Sequence, residues 1–477
     1  MIVRGALALL LVAAPLTARA QSSAAPGTAS MVPLPALAER AAQLIPLLNG
    51  AGDVAASFAP SFLAQVPEPQ IRAISIQLRE TMGKAVAVAE IDVVQPNAAR
   101  IRITFERGIV SMNLAIEQEA PNRIIGLLVT GTAATEASLD AVVAALKAEP
   151  GLTGFTVARL DNGPPVALLS LNADRPAAIG SVFKLAILAE LIRATNHGER
   201  HWDDLVTLDG APLPGGFYMD KPAGTRATLR EVTEKMISVS DNSATDLLLA
   251  LVGREKVEAM LPVIGWRDAG RNRPMLSTLD MFKLKGLQGG ALGRRWPALD
   301  EAGKRALLTS DITPAPLSGL DPMLFRDNKP RLLDVEWFAS PADLVRTMDW
   351  IRRNTGKGPG AEARRILAMN PGVGPAAAAN WGYVGYKGGS EPGVIGMSFL
   401  LQAKDSRWYA LSASWNNPAT VVDEGRFIAL MSRAVELAAP LDVAAHPSLV
   451  IPRADTDPDH HHGKTAGDDG QRDGARP

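Results

Sequence analysis

The stretch Ser181-Val-Phe-Lys184 opens a run of mostly apolar, helix-forming residues, Leu-Ala-Ile-Leu-Ala-Glu-Leu-Ile-Arg193. Residues three apart lie on one face of a helix, so the Lys184 amine can reach the Ser181 hydroxyl. A serine hydroxyl is a weak nucleophile until a base takes its proton, and a lysine buried among apolar neighbours has a lowered pKa that suits this task. An N-capping serine followed by a surface lysine would give the same four letters, so the interpretation needs support from the rest of the chain.

A second polar pattern, Ser240-Asp241-Asn242, separates two apolar stretches of helical character. This arrangement predicts a loop that joins two helices at the edge of the core. Ser240 could pass a proton between Lys184 and a leaving nitrogen, while the Asn242 amide could contact a substrate carbonyl. The alternative is an ordinary helix N-cap.

The third pattern is Tyr386-Lys387-Gly388-Gly389-Ser390, at the end of a predicted strand. Glycines at a strand end allow a substrate backbone to approach as an added strand. Lys387 would place a second cation in the cleft, where it helps to keep Lys184 neutral and attracts a carboxylate. The alternative is a glycine turn between two strands.

In this order and context, the three patterns resemble the Ser-x-x-Lys, Ser-Asp-Asn and Lys-Thr-Gly motifs of class A β-lactamases and penicillin-binding proteins. The stretch Arg226 to Leu249 also reads like the region around that family's second motif. The resemblance implies that Ser181 is the acylated nucleophile and that the backbone N–H groups of Ser181 and Ser390 form the oxyanion hole. It implies four catalytic residues, Ser181, Lys184, Ser240 and Lys387, and four substrate-binding residues, Asn242, Gly388, Gly389 and Ser390.

Two departures from the family pattern bear on turnover. Gly388 stands where family members have a threonine or serine whose hydroxyl contacts the substrate carboxylate. The chain also has no Glu-x-x-Leu-Asn segment between Ser240 and Lys387, and in class A enzymes that glutamate activates the deacylating water. Residues Pro274 to Asp334 contain no equivalent, and Glu336 lies too late in the sequence. Acylation is therefore predicted, whereas rapid release of the acyl group is not.

The segments around these patterns predict one α/β domain at residues 139–440. A helix at Leu139–Ala148 precedes two strands, a helical middle section precedes three more strands, and a final helix ends near Ala439. We expect a β-lactamase-like (serine transpeptidase-like) fold, with a five-stranded antiparallel sheet flanked by helices, the first and last helices covering one face.

The N-terminal part predicts a smaller α+β domain at residues 34–132. Its helices are expected at Leu37–Gly50, where Pro46 should kink or end the last turn, and at Glu68–Met82. Four strands follow, near Ala85–Val94, Ile101–Phe105, Ile109–Ile116 and Ile124–Val129, and a polar joint is expected at Thr130–Ser138. This part resembles a cone of the steroid-isomerase or cystatin-like type. We interpret Glu90, Asp92 and Glu106 as surface charges on its strands rather than as an acid–base pair.

The combination of such a cone with a Lys-Gly-Gly motif is similar to the β-lactamase-like protein of clavulanic-acid gene clusters. That similarity favours an esterase or a modified hydrolase over a simple resistance enzyme.

The two ends of the chain have the composition of processing and linker segments. Residues 1–20 combine Arg4, an apolar run and Ala18-Arg-Ala20, which predicts a signal peptide cleaved near Ala20 and a periplasmic or secreted protein. Residues 21–33 read as a linker and 453–477 as a disordered tail. His460, His461 and His462 in that tail read as a solvated polar tract rather than a metal site.

Composition excludes several other classes of protein. The chain has no cysteine, which rules out disulfides and thiolate chemistry, and its net charge of -1 comes with no basic stripe for nucleic acid. The apolar run near the N-terminus is too short to span a membrane, and no other apolar stretch is long enough. There is no Gly-x-Ser-x-Gly motif, and the histidines outside the tail are His197, His201 and His446. No metal or cofactor is predicted.

The sequence therefore predicts an exported serine hydrolase that forms an acyl-enzyme on Ser181 with a small molecule: a β-lactam, an amide or a small ester. A D-alanyl-D-alanine carboxypeptidase is one alternative. A protein that captures a β-lactam or a wall fragment without turnover is another.

Overall fold

The computed structural model describes residues 35–321, 324, 327–439 and 449–450. The predicted signal peptide, linker and tail, including His460 to His462, lie outside these residues. Within them, no helix combines the length and the apolar character that crossing a bilayer requires.

The N-terminal unit (residues 35–133) packs four helices against an antiparallel sheet. Its helices are α1 (Pro35–Leu48), α2 (Val54–Ser57), α3 (Pro60–Leu63) and α4 (Glu68–Met82). The strands are β1 (Ala85–Gln95), β2 (Ala98–Phe105), β3 (Gly108–Ile116) and β4 (Ile124–Ala133), in the spatial order β1-β2-β3-β4. Alternate strand residues such as Ile101 and Ile103 are fully buried, because one face of the sheet meets the helices.

Two details of this unit differ from the prediction. Helix α1 continues through Pro46 to Leu48, so the predicted loss of the last turn is wrong; Leu44, Leu47 and Leu48 are buried there and hold the turn in place. Strand β4 runs to Ala133, into the segment predicted as a joint. Glu90, Asp92 and Glu106 are exposed, in agreement with their interpretation as surface charges.

The C-terminal unit (residues 139–439) contains the remaining helices. They are α5 (Leu139–Ala148), α6 (Lys184–Asn196), α7 (Leu229–Ser238), α8 (Asn242–Val252), α9 (Arg254–Val263), α10 (Thr278–Gly286), α11 (Ala291–Arg295), α12 (Glu301–Leu307), α13 (Pro341–Asn354), α14 (Ala361–Leu367), α15 (Pro375–Ala378) and α16 (Glu424–Leu437). Short 3-10 segments include Gly180–Phe183, directly before α6.

The strands of this part form a main antiparallel sheet and two short ladders. They are β5 (Leu152–Leu160), β6 (Val166–Leu171), β7 (Ala177–Ala178), β8 (Leu205–Thr207), β9 (Arg226–Thr228), β10 (Phe338–Ala339), β11 (Trp381–Glu391), β12 (Val394–Ala403), β13 (Trp408–Asn416) and β14 (Leu449–Val450). The main sheet has the order β11-β12-β13-β5-β6-β14. Its five long strands were predicted; the two-residue strand β14 beside β6 was not, because its two residues carry too little pattern.

Helices cover both faces of this sheet. Helices α5 and α16 pack on one face, as predicted, and α6 and α13 lie on the other with the helical middle section. Strand β11 is an edge strand, so its outer side is open toward the turn that carries Ser181. This edge is where the three sequence patterns meet.

The two units are in direct contact. The Ala134 amide donates to the Ala429 carbonyl over 3.1 Å. Arg426 on α16 pairs with Glu136 at 2.7 Å. The Cα of Gly374 lies 3.0 Å from the point where a methyl group at Gly131 would stand, so strand β4 reaches the loop before β11. The N-terminal unit therefore supports the region that leads into the third motif.

Candidate active site

Ser181 lies on a tight turn pressed against strand β11. It sits in the 3-10 segment that precedes α6, after Gly180 with φ +50°. A methyl group added at Gly389 would lie 2.2 Å from the Ser181 amide nitrogen, and one at Gly180 would lie 3.2 Å from the Ser390 nitrogen. The two backbones touch because both positions are glycine. The two N–H groups predicted to form an oxyanion hole therefore belong to segments in contact.

The Gly389→Ala variant tests how much this close approach matters. All three of the nearest atoms to the added methyl group would be backbone atoms, of Ser181, Val182 and Gly180, at 2.2, 2.7 and 2.8 Å. We expect a loss of about 1–3 kcal/mol of stability from overpacking and displacement of the Ser181 turn. Urea unfolding measures this loss of stability. The rate at which benzylpenicillin labels Ser181 should also fall, by more than about tenfold.

The matched control for that variant is Gly163→Ala, because a methyl group at Gly163 meets nothing within 4 Å. This control should unfold and label like the wild type. If Gly389→Ala also behaved like the wild type, the close packing of the turn on β11 would be refuted.

Lys184 is completely buried and makes three contacts across the cleft. Its Nζ lies 2.8 Å from the Ser240 carbonyl oxygen, 2.8 Å from Asn242 Oδ1 and 3.2 Å from Ser240 Oγ. The sequence placed Lys184 within reach of Ser181. Among the described residues, however, no hydrogen bond joins these two side chains, since the amine is already saturated by the second motif.

Lys387 approaches the same hydroxyl from the opposite wall. Its Nζ lies 2.9 Å from Ser240 Oγ, and only 2% of the residue is exposed. It also donates to the Gly388 carbonyl oxygen. Two buried lysines thus converge on one hydroxyl, and two buried ammonium groups so close together would repel each other strongly.

Burial lowers the pKa of both lysines, and the neighbouring charge lowers that of Lys387 further. Burial lowers the pKa of Lys184 to about 7, although the Asp246 and Asp241 carboxylates act in the opposite direction. Burial, followed by the Lys184 charge, lowers the pKa of Lys387 well below its ordinary value. A neutral amine has two N–H donors and one lone pair, so neutral Lys184 could donate to Asn242 and the Ser240 carbonyl and accept from Ser240 Oγ.

The backbone of the Ser-Asp-Asn turn fixes the position of the Ser240 side chain that both lysines contact. Ser240 has φ +55°, a left-handed conformation that is unusual for a residue with a side chain. Asp241 caps α8 by accepting from the Ala244 amide at 2.8 Å, and it also accepts from the Ser243 hydroxyl at 2.6 Å. The cap by Asp241 accounts for the local role of the motif, while the catalytic role of Ser240 stays a prediction.

The third motif divides its side chains between the two faces of β11. Lys387 lies on the face toward Ser181, while Ser390 is exposed and its hydroxyl bonds to Glu424 at the start of α16. The Ser390 side chain therefore faces α16, away from Lys387. A methyl group at Gly388 would collide with the Tyr386 hydroxyl at 1.9 Å.

The carboxylates nearest to this cluster are already engaged. Asp246 accepts from the Thr278 and Leu279 amides at 2.7 and 2.9 Å, and burial raises its pKa to about 6. Glu336 and Glu391 are buried together against Lys285, whose Nζ lies 3.6 Å from Glu336 Oε1. Glu336 precedes Trp337, which stacks on Phe183 with ring centres 3.7 Å apart. Glu336 thus belongs to a buried charge cluster next to the turn that carries Ser181.

The sequence analysis did not single out the residues that lie beside the second motif. Phe217 is 51% exposed, and its amide donates to the Asp241 side chain, so its ring stands next to the second motif. The Lys235 and Lys221 ammonium groups lie 4.6 and 4.9 Å from the centre of this ring. The preceding Gly215-Gly216 pair was the available signal, because Gly216 has φ +140° and a methyl group there would lie 2.5 Å from Asp241 Oδ1.

No group of three or more histidine, aspartate or glutamate side chains suited to a metal ion occurs in the described part of the chain.

A comparison with protein-family models matched one part of the chain. Residues 134–318 match the profile of the β-lactamase enzyme family, a segment that includes Ser181, Lys184 and the Ser-Asp-Asn motif and is less than half of the chain. Comparison with curated protein sequences found no match.

Among solved structures, the β-lactamase of Sphaerobacter thermophilus is 21% identical, with 65% of this chain and 98% of that chain covered and a TM-score of 0.43. A β-lactamase of Chitinophaga pinensis is 16% identical, with 63% and 96% covered and a TM-score of 0.42. A mutant of PBP-A, in an acyl-enzyme complex with penicillin G, is 16% identical, with 63% and 95% covered and a TM-score of 0.42.

The part of the chain that carries the first two motifs is therefore similar to the β-lactamase enzyme family, and the C-terminal unit has a β-lactamase-like α/β fold with an antiparallel sheet flanked by helices.

Proposed function

We propose that this protein is an exported serine hydrolase that forms an acyl-enzyme on Ser181 with a β-lactam, an amide or a small ester, and that it releases the acyl group slowly. The observation that carries the proposal is the convergence of Lys184 and Lys387 on the Ser240 hydroxyl, at 3.2 and 2.9 Å. Burying two cations on one hydroxyl is costly for a folded protein and is typical of a site that needs a neutral lysine as a base.

Acylation can be written with the side chains in place. The Ser181 oxygen bonds to the substrate carbonyl carbon, and its proton passes to the neutral Lys184 amine, whose lone pair must first be released from Ser240 Oγ. The negative charge that develops on the carbonyl oxygen is stabilised by the Ser181 and Ser390 N–H groups. Collapse of this intermediate breaks the C–N bond of an amide or lactam, or the C–O bond of an ester. The leaving atom then takes the proton from Lys184 through the Ser240 hydroxyl.

Lys387 and Asn242 are assigned to substrate binding in this proposal. An incoming carboxylate would restore the positive charge of Lys387, since an opposite charge nearby raises a lysine pKa. The Asn242 amide oxygen holds Lys184 at 2.8 Å, which leaves the amide nitrogen to contact a substrate carbonyl. The backbone groups of Gly388 and Gly389, on the edge strand β11, are assigned to the substrate backbone.

Slow release follows from how the carboxylates are used. Deacylation needs a base that activates water on the acyl ester. Asp241 and Asp246 accept from backbone amides, and Glu336 and Glu391 are buried with Lys285. Among the described residues of this cluster, Lys184 is then the base that we assign to water, and it must also serve Ser240.

The proposal is tested by intact-protein mass against time with a penicillin and a cephalosporin. We expect the wild type to gain the mass of one antibiotic molecule, to retain it for minutes or longer, and to carry it on the peptide that contains Ser181. A gain that disappears at once, with loss of free antibiotic, would mean efficient hydrolysis and would overturn the slow-release part. No gain, with both antibiotics intact, would overturn the β-lactam part and direct the work to esters.

The same incubation with a D-alanyl-D-alanine peptide addresses the alternatives. Release of D-alanine would favour a carboxypeptidase, while acylation that never reverses would favour a capture protein. This proposal includes the signal peptide, the tail and the division into domains at residues 34–132 and 139–440. Amino-terminal sequencing of the exported protein would check cleavage near Ala20.

A further inference from the structure

Asp246 lies on α8, four residues after Asn242 of the second motif. Residues four apart on a helix share a face, one turn above the other. On this face, Asn242 Oδ1 lies 2.8 Å from Lys184 Nζ, and α8 packs against α6, the helix that Lys184 begins. The Asp246 carboxylate is therefore placed one turn beyond the contact between the second motif and the lysine.

The contacts of Asp246 require a negative charge at this place. Its Oδ1 accepts from the Thr278 amide at 2.7 Å and its Oδ2 from the Leu279 amide at 2.9 Å. These are the first two residues of α10, whose amides have no partner within the helix and whose positive end favours an anion. An asparagine or a protonated carboxyl would direct a hydrogen atom at one of the two donors. The ionised carboxylate is the form that accepts from both.

This negative charge acts on Lys184 against the effect of burial. Burial lowers the pKa of Lys184 to about 7, and the charge of Asp246, followed by that of Asp241, raises it. Asp241 has a second task, because it caps α8 by accepting from the Ala244 amide at 2.8 Å. Burial raises the pKa of Asp246 itself to about 6, and Asp280 on α10 adds to this, so Asp246 is ionised at neutral pH.

The other charged group beside the Lys184 amine has the opposite sign. Lys387 on β11 contacts the same Ser240 hydroxyl, at 2.9 Å. A cation at Lys387 favours a neutral Lys184, whereas the anion at Asp246 favours a protonated one. Asp246 thus opposes the form of the lysine that the proposed acylation needs.

We propose that the Asp246 carboxylate sets the pH range in which Lys184 can act as a base. This inference rests on the proposed acylation at Ser181 and adds a positioning residue, since Asp246 acts through Lys184 and not on the substrate. Near neutral pH the carboxylate keeps a fraction of the Lys184 amine protonated, and so keeps acylation below its maximal rate.

The test is the Asp246→Asn variant of the full chain, with the rate of acylation by benzylpenicillin measured from pH 6 to pH 9. Loss of the negative charge should move the midpoint of the acid limb to lower pH by about one unit. At pH 6 the variant should then react about five times faster than the wild type, because more of its Lys184 is neutral. At pH 9 it should react no faster, since the amine is neutral in both proteins.

A faster reaction at low pH is a result that damage to the fold would not produce. If Asp246→Asn were slower than the wild type at every pH, with an unchanged midpoint, Asp246 would only hold α10 in place and this inference would be overturned. Should the variant not fold, Asp246→Ser replaces it, because its smaller side chain leaves space for a water that accepts from the two amides. The same shift of the midpoint is expected.

The matched control is Asp280→Asn, which makes the same change at a neighbouring carboxylate on α10. Asp280 accepts from the Ser277 amide at 3.1 Å and pairs with Arg254 at 2.8 Å. This variant also loses hydrogen bonds at the start of α10, yet the midpoint of its acid limb should stay at the wild-type pH.

Nitrogen NMR of the Lys184 amine follows the same titration without any substrate. The signal is assigned by comparison with Lys184→Met, and its midpoint should move to lower pH in Asp246→Asn. Failure of every probe to acylate the wild type would overturn the proposed function, whereas an unchanged NMR midpoint in Asp246→Asn would overturn this inference alone.

Discussion

Replacement of Ser181 by alanine is expected to abolish the covalent mass gain with every acylating probe, so that no labelled protein is detected. The hydroxyl lies at the start of α6, on a turn whose backbone is held against Gly389. Alanine keeps that turn, its N–H and the helix that follows, so the variant removes the nucleophilic oxygen and leaves the fold intact. Intact mass after overnight incubation with benzylpenicillin gives the result directly.

Two further measurements give this prediction its specificity. The Ser238→Ala variant changes a serine at the end of α7, whose hydroxyl bonds to the Glu234 carbonyl at 2.6 Å; it should be labelled like the wild type. Ser181→Ala should still bind benzylpenicillin reversibly, because Lys387, Asn242 and the N–H groups remain. Labelling of Ser181→Ala at some other residue would show that the assignment of the nucleophile is wrong.

The sequence predicted the fold well where the pattern is local. The five long strands of the main sheet and the helices α5 and α16 follow from apolar runs and helical spacing over nine or more residues in most cases. Strand β14 has two residues and forms only because β6 offers an open edge, which no local pattern encodes. The helix through Pro46 likewise depends on burial of its leucines in the core.

For the candidate site, the sequence predicted which residues come together and missed how they are partnered. Ser240 was expected to connect Lys184 with the substrate, and both lysines do contact it. The saturation of Lys184 by the second motif could not be read from sequence, since its partners lie more than fifty residues away in the chain. The close approach of the Tyr386 ring to Gly388 was not predicted either: residues two apart on a strand share a face, and only a glycine at 388 leaves space for the ring.

Replacement of Lys184 by methionine should lower the acylation rate by about a hundredfold to ten-thousandfold, the usual contribution of a general base. Methionine fills a similar volume but has no lone pair to accept the Ser181 proton. In the wild type, the neutral amine is the active form, and its pKa is about 7. The acylation rate should therefore rise with pH through this value, level off above about pH 8, and fall about tenfold for each pH unit below about pH 6. The rate of Lys184→Met should be flat over the same range.

The control for this final prediction separates catalysis from stability. Lys304→Met makes the same change at a half-buried lysine whose ammonium lies 5.5 Å from the centre of the Trp296 ring, outside the site; it should keep both the wild-type rate and the pH profile. Lys184→Met should fold, because removing a buried amine also removes its desolvation cost and its repulsion of Lys387. Since the remaining lysine no longer has a cation beside it, binding of a carboxylate should depend less on pH in this variant. A folded Lys184→Met protein with a rate within about tenfold of the wild type would transfer the role of base to Lys387 or Ser240.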